Sequence, residues 1–177
     1  METWIALLRG INVGGKNSLP MQDLRSLLEG LGYQDVKTYI QSGNVVFRSG
    51  ETSADALSIA IRDAISERFG FAPHIIVLPL EALKTALTDD PYGASAEDKR
   101  HVHFFFLAEG AKAADIAKLQ ALSAASEAFT LTPSVFYLHA PDGIGRSKLA
   151  AQAETCLGVA TTARNLKSVE AILALAH

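Results

Sequence analysis

Val36-Lys37-Thr38-Tyr39-Ile40-Gln41-Ser42-Gly43-Asn44-Val45-Val46-Phe47-Arg48 is the stretch that decides the fold. Two short β-prone runs, Val36–Gln41 and Val45–Arg48, flank Ser42-Gly43, a spacing that predicts a β-hairpin. Towards the N-terminus, Met21, Leu24, Leu27, Leu28 and Leu31 recur at helical spacing, and Gly30 and Gly32 stop that helix. Ser18 is placed to cap it, and Pro20 suits its first turn, where a missing N–H has no helical partner. Glu2–Ile11 before it reads as a buried strand. Towards the C-terminus, Ala54–Phe69 reads as a helix with Leu57, Ile61, Ala64, Ile65 and Phe69 inward, and His74–Leu78 as a strand. The order is strand, helix, strand, strand, helix, strand. That is the split βαβ arrangement of ferredoxin-like units. The hairpin inside it breaks the strict alternation that a parallel sheet requires.

The remaining sequence nearly repeats the order. Leu80–Leu87 is a helix opened by Pro79, and the polar stretch Thr88–Arg100 is the clearest internal boundary. Val102–Leu107 is a strand, Lys112–Leu122 a helix, and Ala128–Leu131 with Val135–His139 a second hairpin. Ser147–Leu157 and Leu166–Ala176 are helices, with an extended piece at Val159–Thr162 and with Asn165 capping the last helix. The expected fold is α+β, two ferredoxin-like halves packed together. Residues 1–78 form the first and 79–177 the second, a pair that can also be counted as one structural unit. The duplication rests on element order, since no residue-level repeat is visible.

Composition sets the class. The chain has 177 residues, 49% of them hydrophobic and 20% charged, as in an ordinary folded, water-soluble protein. Its longest apolar runs, Trp4–Leu8, Ile75–Leu80 and Phe104–Ala108, are far shorter than a membrane span. No basic, then apolar, then small-residue leader opens the sequence. Cys156 is the only cysteine, which rules out an internal disulfide and a cysteine zinc cage. These features lead us to expect a cytoplasmic protein with no membrane partner. The net charge of −3 argues against a general nucleic-acid binder, which normally carries a basic surplus.

Gly10-Ile11-Asn12-Val13-Gly14-Gly15-Lys16-Asn17 comes within one residue of a phosphate loop, G-x-x-x-x-G-K-[ST], with Asn17 in place of the hydroxyl residue. Nucleotide hydrolysis is disfavoured. Asn17 cannot give the metal-binding hydroxyl, no apolar strand ends in a metal-holding aspartate, and the hairpin disrupts the topology. Anion binding and a plain glycine-rich connection both remain open readings. In favour of the anion stand the loop's length and its lack of any acid from Arg9 to Gln22. Two further segments have the same character. Asp142-Gly143-Ile144-Gly145-Arg146-Ser147-Lys148 can curl amides into a nest, with Ser147 as cap and Lys148 in the first helical turn. Thr161-Thr162-Ala163-Arg164-Asn165 precedes a helix in another acid-free stretch. The hairpin tip adds Gln41, Ser42 and Asn44 as neutral donors and acceptors, although a turn that simply needs Gly43 explains it equally well. The candidate ligand-binding set is therefore Arg9, Asn12, Gly14, Gly15, Lys16, Asn17, Gln41, Ser42, Asn44, Arg146, Ser147, Lys148, Arg164 and Asn165, on the condition that the basic loops converge.

Other chemistry is weaker. His101 and His103 are spaced to share one face of a strand, and His139 on another strand could join them, but no carboxylate or cysteine pattern completes a metal site. Sheet-edge histidines are the simpler account, and no metal is assigned. Cys156 has no indicated base. Asp89 and Asp90 before Pro91-Tyr92 read as a turn. The residues name no cofactor, and no acid–base or nucleophile–base pair marks catalysis.

Taken together, Leu8-Arg9-Gly10-Ile11-Asn12-Val13-Gly14-Gly15-Lys16-Asn17, Met21, Leu24-Arg25, and Thr38-Tyr39-Ile40-Gln41-Ser42-Gly43-Asn44-Val45-Val46-Phe47 resemble the bacterial domain-of-unknown-function 1697 family. Asp90-Pro91-Tyr92, Arg146-Ser147-Lys148-Leu149 and Ala163-Arg164-Asn165 with Val169 extend the resemblance over essentially the whole chain. It implies an α+β fold of ferredoxin-like units and no established activity. One departure stands out: the family's closing Arg-Asn-Trp-Asn-Thr-Val is here Arg164-Asn165-Leu166-Lys167-Ser168-Val169, without the aromatic residue and the second amide. Three functions follow, in order. The first is binding of a small anion such as a nucleotide or phosphorylated metabolite. The second is an RNA-binding module, against which stand the acidity and the missing basic-Gly-aromatic-Gly-Phe pattern. The third is an interaction or regulatory module without chemistry.

Overall fold

The computed structural model describes residues 1–177. Its elements are β1 (Glu2–Leu8), α1 (Met21–Gly30), β2 (Gln34–Tyr39), β3 (Asn44–Ser49), α2 (Ala54–Phe69), β4 (Ile75–Pro79), α3 (Leu80–Thr88), β5 (Val102–Leu107), α4 (Ile116–Leu122), β6 (Ala128–Leu131), β7 (Val135–His139), α5 (Lys148–Leu157), β8 (Thr161–Asn165) and α6 (Leu166–Leu175). The strands form two four-stranded sheets, ordered β2-β3-β1-β4 and β6-β7-β5-β8, with every pairing antiparallel. Each order is that of a split βαβ unit, so both halves are α+β with the same topology. By contacts the chain divides into Met1–Thr85 together with Ala171–His177, and Ala86–Glu170.

In the first unit, alternation along β1 sends Trp4, Ala6 and Leu8 to one face. There they join Val45 and Phe47 of β3, Leu24 and Leu28 of α1, and Leu57, Ile61 and Ile65 of α2. Ile5, Leu7 and Val46 on the opposite face are also buried, which is why β1 reads as a continuous apolar run rather than an alternating one. Ser53 accepts from the Ala56 N–H and Gly70 closes α2 in the left-handed conformation. The Ser18 cap expected for α1 is not formed. Pro20 occupies the cap position with no side-chain bond, because Asn12 already holds Leu19 by both its N–H and its carbonyl and so fixes where the helix starts.

In the second unit, Phe105 and Leu107 of β5 and Phe136 and Leu138 of β7 face Leu119 of α4 and Leu149 and Ala153 of α5. The other face carries Phe104, Phe106 and Tyr137. The Tyr137 hydroxyl donates to the Ala86 carbonyl over 2.6 Å, and burial followed by nearby Asp89 and Asp90 pushes its pKa up. The polar stretch after α3 is ordered by Asp90, which accepts from the N–H groups of Tyr92 and Gly93, and by a 2.7 Å hydrogen bond between the Tyr92 and Thr130 hydroxyls. Two expected boundaries move. Asp115 caps α4 by accepting from the Lys118 N–H, so that helix starts at Ile116 rather than Lys112. The extended piece expected at Val159–Thr162 is strand β8 over Thr161–Asn165, which carries Arg164 and Asn165 into the sheet beside β5 rather than into a loop.

Candidate functional site

The glycine-rich loop of the first unit is a miniature hairpin. The Lys16 N–H donates to the Val13 carbonyl over 3.0 Å, and Gly14 (φ +59°) and Gly15 (φ +73°) sit between them. Positive φ at both central residues is the signature of a type I′ turn. Asn12 and Asn17, also at positive φ, close the base: the Asn12 N–H donates to the Asn17 carbonyl, and the Asn17 amide donates to the Gly10 carbonyl over 3.1 Å. Asn12 Nδ2 donates to the carbonyls of Leu19 (2.9 Å) and Gln41 (2.8 Å), while its Oδ1 accepts from the Leu19 N–H (2.7 Å). The hydrogen-bonding groups of Asn12 thus hold the loop to the β2–β3 tip. Arg9, Gly14, Gly15 and Lys16 are exposed along this hairpin, and Val13 at its turn is 64% exposed.

The β2–β3 tip is built for the same junction. Gly43 has φ +90°, and its carbonyl accepts from the Leu8 N–H. Asn44 is fully buried and donates to the Tyr39 carbonyl and the Ser42 hydroxyl. Gln41 contributes its backbone carbonyl to Asn12. Loop and tip therefore come together as one structure, with the Asn12 and Asn44 side chains serving its architecture.

In the second unit, the split βαβ order places the α4–β6 and β7–α5 connections at one end of the sheet. A cleft of about 620 Å³ opens there. Arg146, Ser147 and Lys148 line one side, reached through Gly143 (φ +98°) and a single 3₁₀ turn over Ile144–Arg146. Ser147 is buried and caps α5 by accepting from the Ala150 N–H over 3.0 Å. Arg146 and Lys148 are exposed, at a helix start whose dipole favours a negative ligand. The facing wall comes from the α4–β6 connection. Glu127 accepts there from the Ala124 N–H, and the Ser126 hydroxyl donates to Asp142 over 2.6 Å, tying the two connections together. Ser126 and Glu127 belong to no motif in the sequence. Only the topology, which obliges those two connections to share an end, points to them.

Arg164 and Asn165 end β8 at this same end of the sheet, since Asn165 pairs with His103 near the start of β5. Asn165 caps α6 by accepting from the Ser168 N–H over 2.9 Å. Register puts Arg164 on the Phe104 face, away from α5. Its guanidinium donates to the Ala163 carbonyl, and burial lowers its pKa to about 10. Two of the three basic segments thus share an end but present side chains to different faces.

The histidines do not assemble. His101 precedes β5 in a 3₁₀ turn. His103 is buried on the face of α4 and α5. His139 pairs with Val102 and so projects from the other face, where its ring stacks on Tyr92 at 6.0 Å. No group of three His, Cys, Asp or Glu residues suited to a metal occurs. The His103 pKa is lowered to about 4, first by burial and then by His101 and His139, and its buried Nε2 has no hydrogen-bond partner. No helix is long and apolar enough to cross a membrane.

Comparison with known families finds that the family described as "Protein of unknown function (DUF1697)" matches residues 1–137. Among solved structures, conserved bacterial protein SP0830 from Streptococcus pneumoniae is similar, with a TM-score of 0.73 and 25% identity over 99% of both chains. Comparison with curated proteins finds no match.

Proposed function

The chain belongs to the DUF1697 family of proteins of unknown function, and on that footing we propose that it binds a small anionic ligand, a nucleotide or other phosphorylated metabolite, at the head of α5. The observation that carries this reading is the cleft of about 620 Å³ with Arg146, Lys148 and the capped start of a ten-residue helix on one wall. Its size suits a ligand of drug-like dimensions. Lysine in a first turn opposes the helix dipole unless an anion is shared between them. A reducing, cytoplasmic setting is part of the reading and rests on the single, buried Cys156. The test is a thermal-shift panel of nucleotides and sugar phosphates. At least one should raise the melting temperature, and Arg146→Ala/Lys148→Ala should abolish the rise. The same panel run on Lys16→Ala reads the contribution of the first unit's hairpin. If no phosphorylated compound stabilises the protein, the reading fails.

A second reading, docking of a protein partner, is favoured by Val13 at the exposed tip of an acid-free hairpin. One stoichiometric partner retained by the native chain and lost by Val13→Asp would support it.

A further inference from the structure

The cleft at the head of α5 does not carry one sign of charge. Glu127 and Asp142 line it together with Arg146 and Lys148. The acids are gathered at one place, because Ser126 next to Glu127 donates to Asp142. Towards the other side the cleft continues into a recess of about 360 Å³ between α4 and α5, with which it shares Leu122 and Lys148. That recess adds Lys118 and the small side chain of Ala151, and no acid lines it. The two carboxylates and Arg146 thus lie in the cleft proper, Leu122 and Lys148 stand where cleft and recess join, and Lys118 adds a second ammonium group in the recess.

From this arrangement, and resting on the anion reading above, we infer that the ligand is dipolar: an acidic group at the Lys118–Lys148 end and an ammonium group at the Glu127–Asp142 end, joined by a short apolar stem. A purely anionic ligand filling the whole cleft would lie against two carboxylates, a like-charge contact that opposes binding. Each carboxylate uses one oxygen on its internal donor, the Ala124 N–H or the Ser126 hydroxyl, and keeps the other for an ammonium.

The experiment is a backbone-amide NMR titration with three matched probes: 6-aminohexanoate, hexanoate and hexylamine. 6-Aminohexanoate should move the amides of Ala124, Gly143 and Lys148 and bind roughly threefold or more tighter than either singly charged probe, the scale of one exposed charge pair. Glu127→Gln/Asp142→Asn keeps both internal acceptors and removes only charge, so it should erase that preference while leaving hexanoate binding intact. Hexanoate binding as tightly as 6-aminohexanoate overturns the inference and leaves the anion reading standing. If all three probes are silent while a phosphorylated compound binds, the inference falls alone; silence from every compound removes both.

Discussion

Replacing Gly43 with alanine tests the junction that joins the glycine-rich loop to the β2–β3 tip. A Cβ built on Gly43 would lie 2.7 Å from Leu8 Cβ and 2.8 Å from Ile11 Cδ1, about 1 Å inside ordinary carbon contact. The Ile11 methyl can swing away, but Leu8 Cβ is fixed to a paired strand. Overpacking of this kind costs about 1–3 kcal/mol, and the φ of +90° adds about 1–2 kcal/mol for an L side chain. The sum is roughly 2–5 kcal/mol. Gly70→Ala in the same unit is the control: its φ is +79°, but no atom lies within 4 Å of the added carbon, so only the conformational part is lost. Trp4, the sole tryptophan, lies in this unit's core and reports its unfolding in urea by fluorescence. The two variants differ by the overpacking part alone, about 1–3 kcal/mol, so the Gly43→Ala midpoint should fall below that of Gly70→Ala by about 0.3–3 M, given urea slopes of about 1–3 kcal/mol per M. Equal midpoints would refute the close-approach argument.

Burial of neutral His103 makes stability depend on acid. With its pKa lowered from 6.5 to about 4, the unfolded chain binds the proton more readily. The contribution is therefore complete above pH 6.5 and is lost as pH falls towards 4, by up to about 3 kcal/mol; His103→Phe should flatten that part of the pH–stability curve in calorimetry. Asn12→Gly removes three hydrogen bonds without adding backbone strain, so it should cost about 1–3 kcal/mol and speed hydrogen exchange at the Leu19 amide, and unchanged exchange there would contradict the clamp role. Tyr137→Phe deletes a buried bond to the Ala86 carbonyl and should lower the second unit's stability by about 1–2 kcal/mol in denaturant.

How far the sequence could be read depends on how local each determinant is. Hairpin β2–β3 was legible because Gly43 and the flanking β-branched runs act within a few residues, and Asn165 was legible as a cap because its partner, Ser168, lies three residues away. The edges of elements failed where a nearby side chain intervened, as Asp115 did by capping α4 late and Asn12 by fixing Leu19 ahead of α1. The extended piece expected at Val159–Thr162 sits two to three residues further on as β8, because Arg164-Asn165 looks like a loop until β5 is there to pair with it.

The site divides along the same line. The pattern at Gly14 and Gly15 marks left-handed backbone without saying what it serves, and the bond from the Lys16 N–H to the Val13 carbonyl shows a type I′ turn there. Glycine spacing alone therefore marks a special backbone and not its use. By contrast, the wall facing Arg146 comes from residues about twenty positions earlier in the chain, and no local pattern announces Glu127. It follows from topology, since a split βαβ unit must return its first helix to the end of the sheet where its second begins. A basic loop in such a unit is best read together with the connection that shares its end, and here that partner turns a stretch of positive charge into a cleft with two signs.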